Sequence, residues 1–219
     1  MGGIEAGETG LRVVFSSDRV AVVEKPSGVL SVPGKGPEKA DCMASRVAAH
    51  FPRATGPLVV HRLDMETSGL MVFGLDAGAQ RALSMQFEAR AVRKRYVALL
   101  EGVLAQERGI VELPIRMDPE NRPIQVVDYV HGKPSVTRYR VLAYETDRTR
   151  VEFEPLTGRT HQLRVHAAHE EGMRAPIVGD VLYGGGAASG DRLMLHATEL
   201  SVFDPDTGRE LSFVSPTPF

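Results

Sequence analysis

Alternating apolar and polar residues dominate the chain and predict many short β-strands. The first two, at residues 12–16 and 20–24, flank Ser17-Asp18-Arg19, a spacing typical of a β-hairpin. Further strands are predicted at residues 57–60, 70–73, 92–100, 111–115, 124–130, 136–144, 150–155, 193–203 and 210–214. Because most connections are short, we expect mainly antiparallel pairing.

Helices are predicted where apolar residues recur three or four positions apart after a capping residue. The predicted caps are Asp41 for a helix over residues 43–51, Asp76 for a helix ending near Arg90, and Thr160 for a helix over residues 161–169. Cys42 is expected inside the first helix as a small core residue. These elements predict an α+β fold with a large mixed, mainly antiparallel sheet flanked by helices and loops.

Composition and charge narrow the class of protein. With 42% apolar and 25% charged residues, the 219-residue chain is typical of a globular protein with a substantial core, expected over residues 11–219. Residues 1–10 are expected to be disordered. No apolar run approaches the roughly 20 residues of a membrane helix, and no signal peptide is recognisable. The single cysteine and the missing signal favour the cytoplasm.

Polar and charged side chains are concentrated between two apolar runs, in the stretch from His61 to Gly69. Asp64 and Glu66 occur there, and a carboxylate close to core strands needs a partner. One interpretation is a carboxylate-dependent hydrolase in which Asp64 and Glu66 form an acid/base pair. The more common role of carboxylates in turns is capping or solvent exposure.

A basic cluster at Arg90, Arg93, Lys94 and Arg95 leads into Tyr96. On a strand, Arg93 and Arg95 share one face, and Lys94 and Tyr96 share the other. Basic groups beside an aromatic ring suit stacking on a nucleobase, whereas a run of charge is more often simply solvated. The net charge of −2 means that any nucleic-acid binding would depend on such a local patch.

Metal binding is not expected. His161, His166 and His169 lie at spacings of five and three, which differ from the spacing of four in a helical zinc site. No second cysteine is available, so capping, packing or RNA contact is the preferred interpretation of these histidines.

The ordered motifs resemble those of the RluA-type pseudouridine synthases. The matching segments are Lys25-Pro26-Ser27-Gly28, His61-Arg62-Leu63-Asp64 with Thr67-Ser68-Gly69, Lys94-x-Tyr96-x-Ala98, the run from Leu156 to His166, Pro176-Ile177-x-Gly179-Asp180-x-x-Tyr183, and Leu195-His196-Ala197. They span roughly residues 12–215. Segments between Leu113 and Pro134 resemble the small dual-specificity branch, which lacks an N-terminal RNA-binding domain. Gly172-Met173-Arg174-Ala175 departs from the family pattern and is expected to affect RNA contacts rather than the chemistry.

The resemblance implies roles for individual residues. Asp64 would be the catalytic nucleophile or base, Arg164 its buried ion-pair partner, and Tyr96 would stack on the flipped uracil and assist proton removal from C5. The implied substrate contacts are made by Arg62, His61, Thr67, Leu163, Lys94, Arg93 and Arg95. Arg62 would fill the place of the flipped base, Leu163 would pack against that base, and His61 and Thr67 would order the loop. No cofactor or metal is implied.

The implied substrates are uridines in the anticodon loop of tRNA and in a hairpin of large-subunit ribosomal RNA. The protein is expected to be a monomer without an obligate protein partner. Three alternatives stay open: the same chemistry on a single tRNA or rRNA site, a catalytically silent RNA-binding protein, and the hydrolase built on Asp64 and Glu66.

Overall fold

The computed structural model describes residues 10–184 and 190–219, which contain eleven strands and three α-helices. The strands, β1 to β11 in chain order, are Arg12–Ser16, Val20–Lys25, Ser68–Gly74, Arg93–Glu101, Arg108–Glu112, Ile115–Met117, Gln125–Val127, Val136–Glu145, Arg148–Pro155, Leu195–Phe203 and Glu210–Val214. The helices α1 to α3 are Met43–His50, Ala77–Glu88 and Gln162–Ala168, and a 3-10 turn covers Pro37–Lys39. The expected disorder of residues 1–10 falls almost entirely outside the described residues.

Nine of the strands form one sheet in the order β1-β2-β3-β10-β4-β9-β8-β5, with β11 pairing with β10. The remaining two, β6 and β7, form a separate hairpin. Neighbours such as β1 and β2, β8 and β9, and β10 and β11 pair antiparallel. The predicted α+β class with a large, mainly antiparallel sheet is therefore confirmed.

The chain folds into two compact units. The first comprises the residues up to Lys94 together with Ala197–Pro218, and the second comprises Arg95–His196 and Phe219. In the first unit, alternate residues of β2, β3 and β10 pack against Leu83 of α2. The predicted cap of α2 is confirmed, because Asp76 Oδ1 accepts the Ala79 N–H at 2.9 Å.

The core of the second unit forms around α3. Ala98 and Leu100 of β4 pack with Val151 and Phe153 of β9 and with Leu163 of α3. Residues 162–167 are all buried, so α3 has no solvent-facing stripe over most of its length. The polar residues in this run, Gln162, Arg164 and His166, must therefore find partners inside the protein.

Two predicted helix caps are wrong. Cys42 caps α1, because its sulfur accepts the Ser45 N–H at 3.4 Å and the Ser45 hydroxyl accepts the Cys42 N–H at 3.0 Å. Asp41 instead binds Arg46 through both carboxylate oxygens, so Cys42 precedes the helix rather than lying within it. At α3 the cap position is His161, not Thr160, with a left-handed φ of 54° and no side-chain hydrogen bond to the helix.

Three predicted strands are absent or shorter. Residues 57–60 form only an isolated bridge, because Leu58 adopts a left-handed φ of 55°. The segment 111–115 is divided between β5 and β6 at Pro114, which has no N–H for a ladder. The segment 124–130 keeps only β7, because Asp128 Oδ1 accepts the N–H groups of the next turn, at 2.8 and 2.9 Å.

Candidate active site

Asp64 lies in a tight turn immediately before β3. Its carbonyl accepts the Thr67 N–H at 3.1 Å, the Asp64 side chain is half-buried, and Thr67 is 2% exposed. Gly69 follows with a φ of 115°, and a Cβ there would lie 2.3 Å from the Ala197 carbonyl oxygen. Only glycine therefore lets β3 begin this close to β10, which fixes the end of the turn.

A second loop holds this turn by hydrogen bonds to its main chain. The Lys25 side chain is fully buried, and its ammonium donates to the carbonyls of Pro26, Val29 and Met65 at 2.9, 2.6 and 2.7 Å. Three donors thus meet three acceptors, as burial of an ammonium requires. Because Met65 directly follows Asp64, Lys25 restrains the main chain on the C-terminal side of the carboxylate.

Further bonds from the same loop hold both sides of Asp64. The Ser31 hydroxyl donates to the Leu63 carbonyl at 2.6 Å and accepts the Leu63 N–H at 3.0 Å. On the other side, the Ser27 hydroxyl donates to the Glu66 carbonyl at 2.7 Å. The motif Lys25-Pro26-Ser27-Gly28 did not by itself predict this contact with the Asp64 turn.

His61 is built into the framework of the first unit. Its Nε2 accepts the Val72 N–H at 3.1 Å, and its ring stacks on Phe87 at 4.5 Å between centroids. The Lys94 ammonium lies 5.8 Å from the centroid of the same Phe87 ring. Burial, helped by the charge of Lys94, lowers the pKa of His61 to about 3, so the imidazole is neutral at pH 7. Arg62, in contrast, is exposed beside it.

The basic cluster on β4 is distributed over both faces of the strand. Arg93 donates to Glu210 Oε1 at 2.8 Å, and Arg95 Nη1 lies 3.8 Å from Glu152 Oε2. Tyr96 points to the opposite face of β4, where it packs against the core of the second unit. Lys94 shares that face, and burial lowers its pKa. Arg93 and Arg95 thus lie on the face opposite Tyr96, paired with carboxylates.

In the second unit, Arg164 forms a buried bidentate ion pair with Asp180. Its Nε and Nη2 lie 2.8 and 2.6 Å from the two carboxylate oxygens, and the side chains are 3% and 0% exposed. The guanidinium also lies 5.3 Å from the centre of the Tyr183 ring. The motif that contains Asp180 did not by itself predict this ion pair. The expected pairing of Arg164 with Asp64 stays a prediction.

Tyr183 connects several segments around Arg164. Its hydroxyl accepts the Gln125 N–H at 2.8 Å and lies 2.8 Å from His161 Nδ1. Leu163, expected to pack against the substrate base, is 7% exposed and belongs to the core of the second unit.

Within residues 10–184 and 190–219, no group of three or more His, Cys, Asp or Glu side chains is placed to hold a metal ion. No helix in these ranges is both long and apolar enough to cross a membrane.

Comparison with known proteins agrees with the motifs. A family model described as RNA pseudouridylate synthase matches residues 19–169. The Dual-specificity RNA pseudouridine synthase RluA of Yersinia pestis is 44% identical over 204 residues, covering 92% of this chain and 96% of the relative. The protein of the same name from Escherichia coli strain K12 is 42% identical over 215 residues, covering 97% of this chain and 95% of the relative.

Solved structures agree as well. Human RNA Pseudouridylate Synthase Domain Containing 1 has a TM-score of 0.78 and 30% identity, covering 100% of this chain and 87% of that chain. Human RNA Pseudouridylate Synthase Domain Containing 4 has a TM-score of 0.76 and 27% identity, covering 94% and 88%.

Proposed function

Because this chain belongs to the RNA pseudouridylate synthase family, we propose that it isomerises uridines in stem-loops of both tRNA and large-subunit ribosomal RNA. The observation that carries the dual specificity is the 44% identity to a relative named as a dual-specificity enzyme, over nearly the full length of both chains. The tRNA target would lie in the anticodon loop, and the protein would act as a cytoplasmic monomer without an obligate protein partner. Residues 11–219 would form its catalytic domain.

The reaction breaks the bond between N1 of uracil and C1′ of ribose, turns the base, and joins C5 to C1′. The proton on C5 is lost and N1 gains one, so the product is an isomer of the substrate. We assign Asp64 as the nucleophile or base, because an ionised carboxylate can attack C1′, add to the base or remove a ribose proton. The bonds from Lys25, Ser27 and Ser31 support this assignment, since they fix the main chain on both sides of Asp64.

Tyr96 is assigned to stacking on the extruded uracil and to proton removal from C5, with Leu163 packing against the base. Arg164 would pair with the Asp64 carboxylate, and its rigid attachment to Asp180 supports a fixed position for the guanidinium charge. Extrusion of a base costs a few kcal/mol of stacking and pairing. Arg62, which is exposed beside the Asp64 turn, would fill the space that the base leaves.

Lys94, Arg93 and Arg95 are assigned to phosphate contacts, which makes RNA binding salt-dependent. His61 and Thr67 are assigned to ordering the turn. The hydrogen bond from Val72 to His61 and the burial of Thr67 support that role.

Tritium release from C5-labelled uridine tests the proposal, with total tRNA and a large-subunit rRNA fragment assayed separately. We expect release from both RNAs by the wild type and none by Asp64→Asn, with RNA binding retained. Glu66→Gln is the matched control, because it changes a carboxylate in the same turn and keeps the carbonyl that Ser27 binds. Its turnover should equal that of the wild type.

Each alternative predicts a different result. Release from one RNA alone would contradict the dual specificity and keep the chemistry. No release, with binding retained, would favour a silent RNA-binding protein. Loss of activity in Glu66→Gln with liberation of free base by the wild type would favour the hydrolase.

A further inference from the structure

A cavity of about 390 Å³ lies in the second unit, and all of its lining residues belong to that unit. It is lined by Ile124 and the three residues of β7, by Val165 and Ala168 of α3, and by His169 and Tyr183. The volume falls in the lower part of the range for small-molecule pockets, which suits a single planar group. Most of the lining side chains are aliphatic, as the faces of an aromatic ring require.

Two of the residues that line this cavity, His169 and Gln125, each carry a polar side-chain atom that is not hydrogen-bonded within the described part of the chain. His169 Nδ1 accepts the Glu171 N–H at 3.1 Å, so in the neutral ring the proton is on Nε2. The amide nitrogen of Gln125 donates to the Pro123 carbonyl at 3.1 Å, and its oxygen Oε1 is an acceptor. Among residues 10–184 and 190–219, neither His169 Nε2 nor Gln125 Oε1 has a hydrogen-bond partner. A ligand that carries both a hydrogen-bond donor and an acceptor would therefore suit this lining.

The cavity is preformed by its contacts with Tyr183. The Tyr183 hydroxyl holds the Gln125 main chain on one side and the His161 ring on the other, both at 2.8 Å. The Tyr183 ring lies beneath the Arg164 guanidinium. The cavity is thus attached to the same rigid network as Arg164, so a group bound there would be held at a fixed position relative to it.

We propose that this cavity binds one unpaired nucleobase of the RNA stem-loop, at a position other than the target uridine. The proposal rests on the proposed function, since it concerns the same substrate. Proteins read single-stranded RNA loops by stacking splayed bases and by hydrogen bonds to the base edges, and every nucleobase presents a donor beside an acceptor. The site therefore distinguishes a loop nucleotide that carries a base from one that does not.

The test combines a filled cavity with RNA from which single bases are missing. Ala168→Leu places bulk in the cavity at the end of α3, and leucine is a good helix former. Ala143→Leu is the matched control, because it makes the same change at an exposed position on β8 outside the lining. Each variant is assayed by tritium release on an anticodon stem-loop, intact or with one loop nucleotide at a time made abasic.

We expect Ala168→Leu to lower kcat/KM about tenfold on the intact loop, with Ala143→Leu unchanged. For the wild type, one abasic position besides the target should cause a similar loss. Ala168→Leu should lose nothing further on that substrate, because the two changes remove the same interaction. Gln125→Leu removes the acceptor but changes the volume little. Its loss of kcat/KM should likewise not add to the loss caused by the same abasic position, so it tests the proposal even if Ala168→Leu does not fold.

Wild-type kcat/KM in folded Ala168→Leu and in Gln125→Leu would overturn the proposal. So would an equal further loss on every abasic substrate, which would assign the cavity a purely structural role. Both results leave the proposed function intact, since they require an active wild type. A wild type that releases no tritium from any RNA would instead overturn the proposed function and this proposal with it.

Discussion

The first unit buries the ammonium of Lys25 and the second buries the guanidinium of Arg164, but the two cations are held differently. Lys25 donates to three main-chain carbonyls, whereas Arg164 donates to the carboxylate of Asp180. Carbonyl oxygens left without Lys25 are still neutral and can bind water. Loss of the Asp180 carboxylate, in contrast, removes a buried counter-charge from Arg164. Equal burial of two cations therefore does not mean equal sensitivity to mutation.

The largest effect is expected from breaking the ion pair in the second unit. Asp180→Asn should lower the free energy of unfolding by about 3–5 kcal/mol, because it leaves the Arg164 charge without this partner. Urea denaturation measures the change. Glu154→Gln, which breaks a 3.8 Å pair with Arg138 whose side chains are 37% and 54% exposed, is the control and should cost less than about 1 kcal/mol. Similar losses in the two variants would remove the distinction between the pairs.

A smaller loss of stability is expected from Lys25→Met, with a larger effect on turnover. The unfolding free energy should fall by about 1–3 kcal/mol as three carbonyls lose their donor. We expect kcat to fall at least tenfold, because the Met65 main chain beside Asp64 is no longer restrained. Lys39→Met, at an exposed lysine, should change neither quantity. Wild-type kcat in a folded Lys25→Met would mean that the turn keeps its shape without Lys25.

Acid should destabilise both units, through His61 in the first and His166 in the second. Burial lowers the pKa of His61 to about 3 and that of His166 to about 4, whereas both titrate near 6.5 when unfolded. Between pH 6.5 and 4 the unfolded chain therefore binds more protons than the folded protein. As the pH is lowered through this range, the free energy of unfolding decreases by at most about 1.4 kcal/mol per pH unit for each group. His61→Gln, which keeps an acceptor for the Val72 N–H, should flatten this dependence, measured by urea denaturation at each pH.

An unchanged slope in His61→Gln would show that His61 does not resist protonation in the folded protein.

The smallest effect on stability is expected at the surface of the first unit. Arg93→Gln breaks the pair with Glu210, whose side chains are 52% and 46% exposed, and should cost less than about 1 kcal/mol. If Arg93 contacts a phosphate, the plot of log RNA affinity against log salt concentration should be shallower for Arg93→Gln, with a slope smaller in magnitude by about 1. Filter binding over a salt series measures this slope. An unchanged slope would remove Arg93 from the predicted RNA contacts.

Sequence reasoning succeeded where structure is set by neighbouring residues. The hairpin of β1 and β2 and the Asp76 cap both depend on residues a few positions apart. It failed at α1, where a cysteine takes a position that aspartate usually fills, and at Leu58, whose left-handed backbone breaks an apolar run.

For the candidate site, the motifs indicated the reacting carboxylate but not what supports it. The contact of Lys25 with Met65 joins residues 40 positions apart, and only the fold brings them together. The pairing of Arg164 with Asp180 was not predicted for a related reason. The family resemblance implied Asp64 as the partner of Arg164, and residue spacing alone gave no indication of a second carboxylate.

The complete burial of the Lys25 ammonium also makes it a chemical reporter. An amine that donates to three carbonyls is inaccessible to acylating reagents, whereas exposed lysines such as Lys39 react freely. Lys25 can be labelled only in molecules whose loop has opened away from Met65. Its labelling rate therefore measures how often the Asp64 turn loses its support, and mass spectrometry of the labelled peptide would follow this local opening in the native protein.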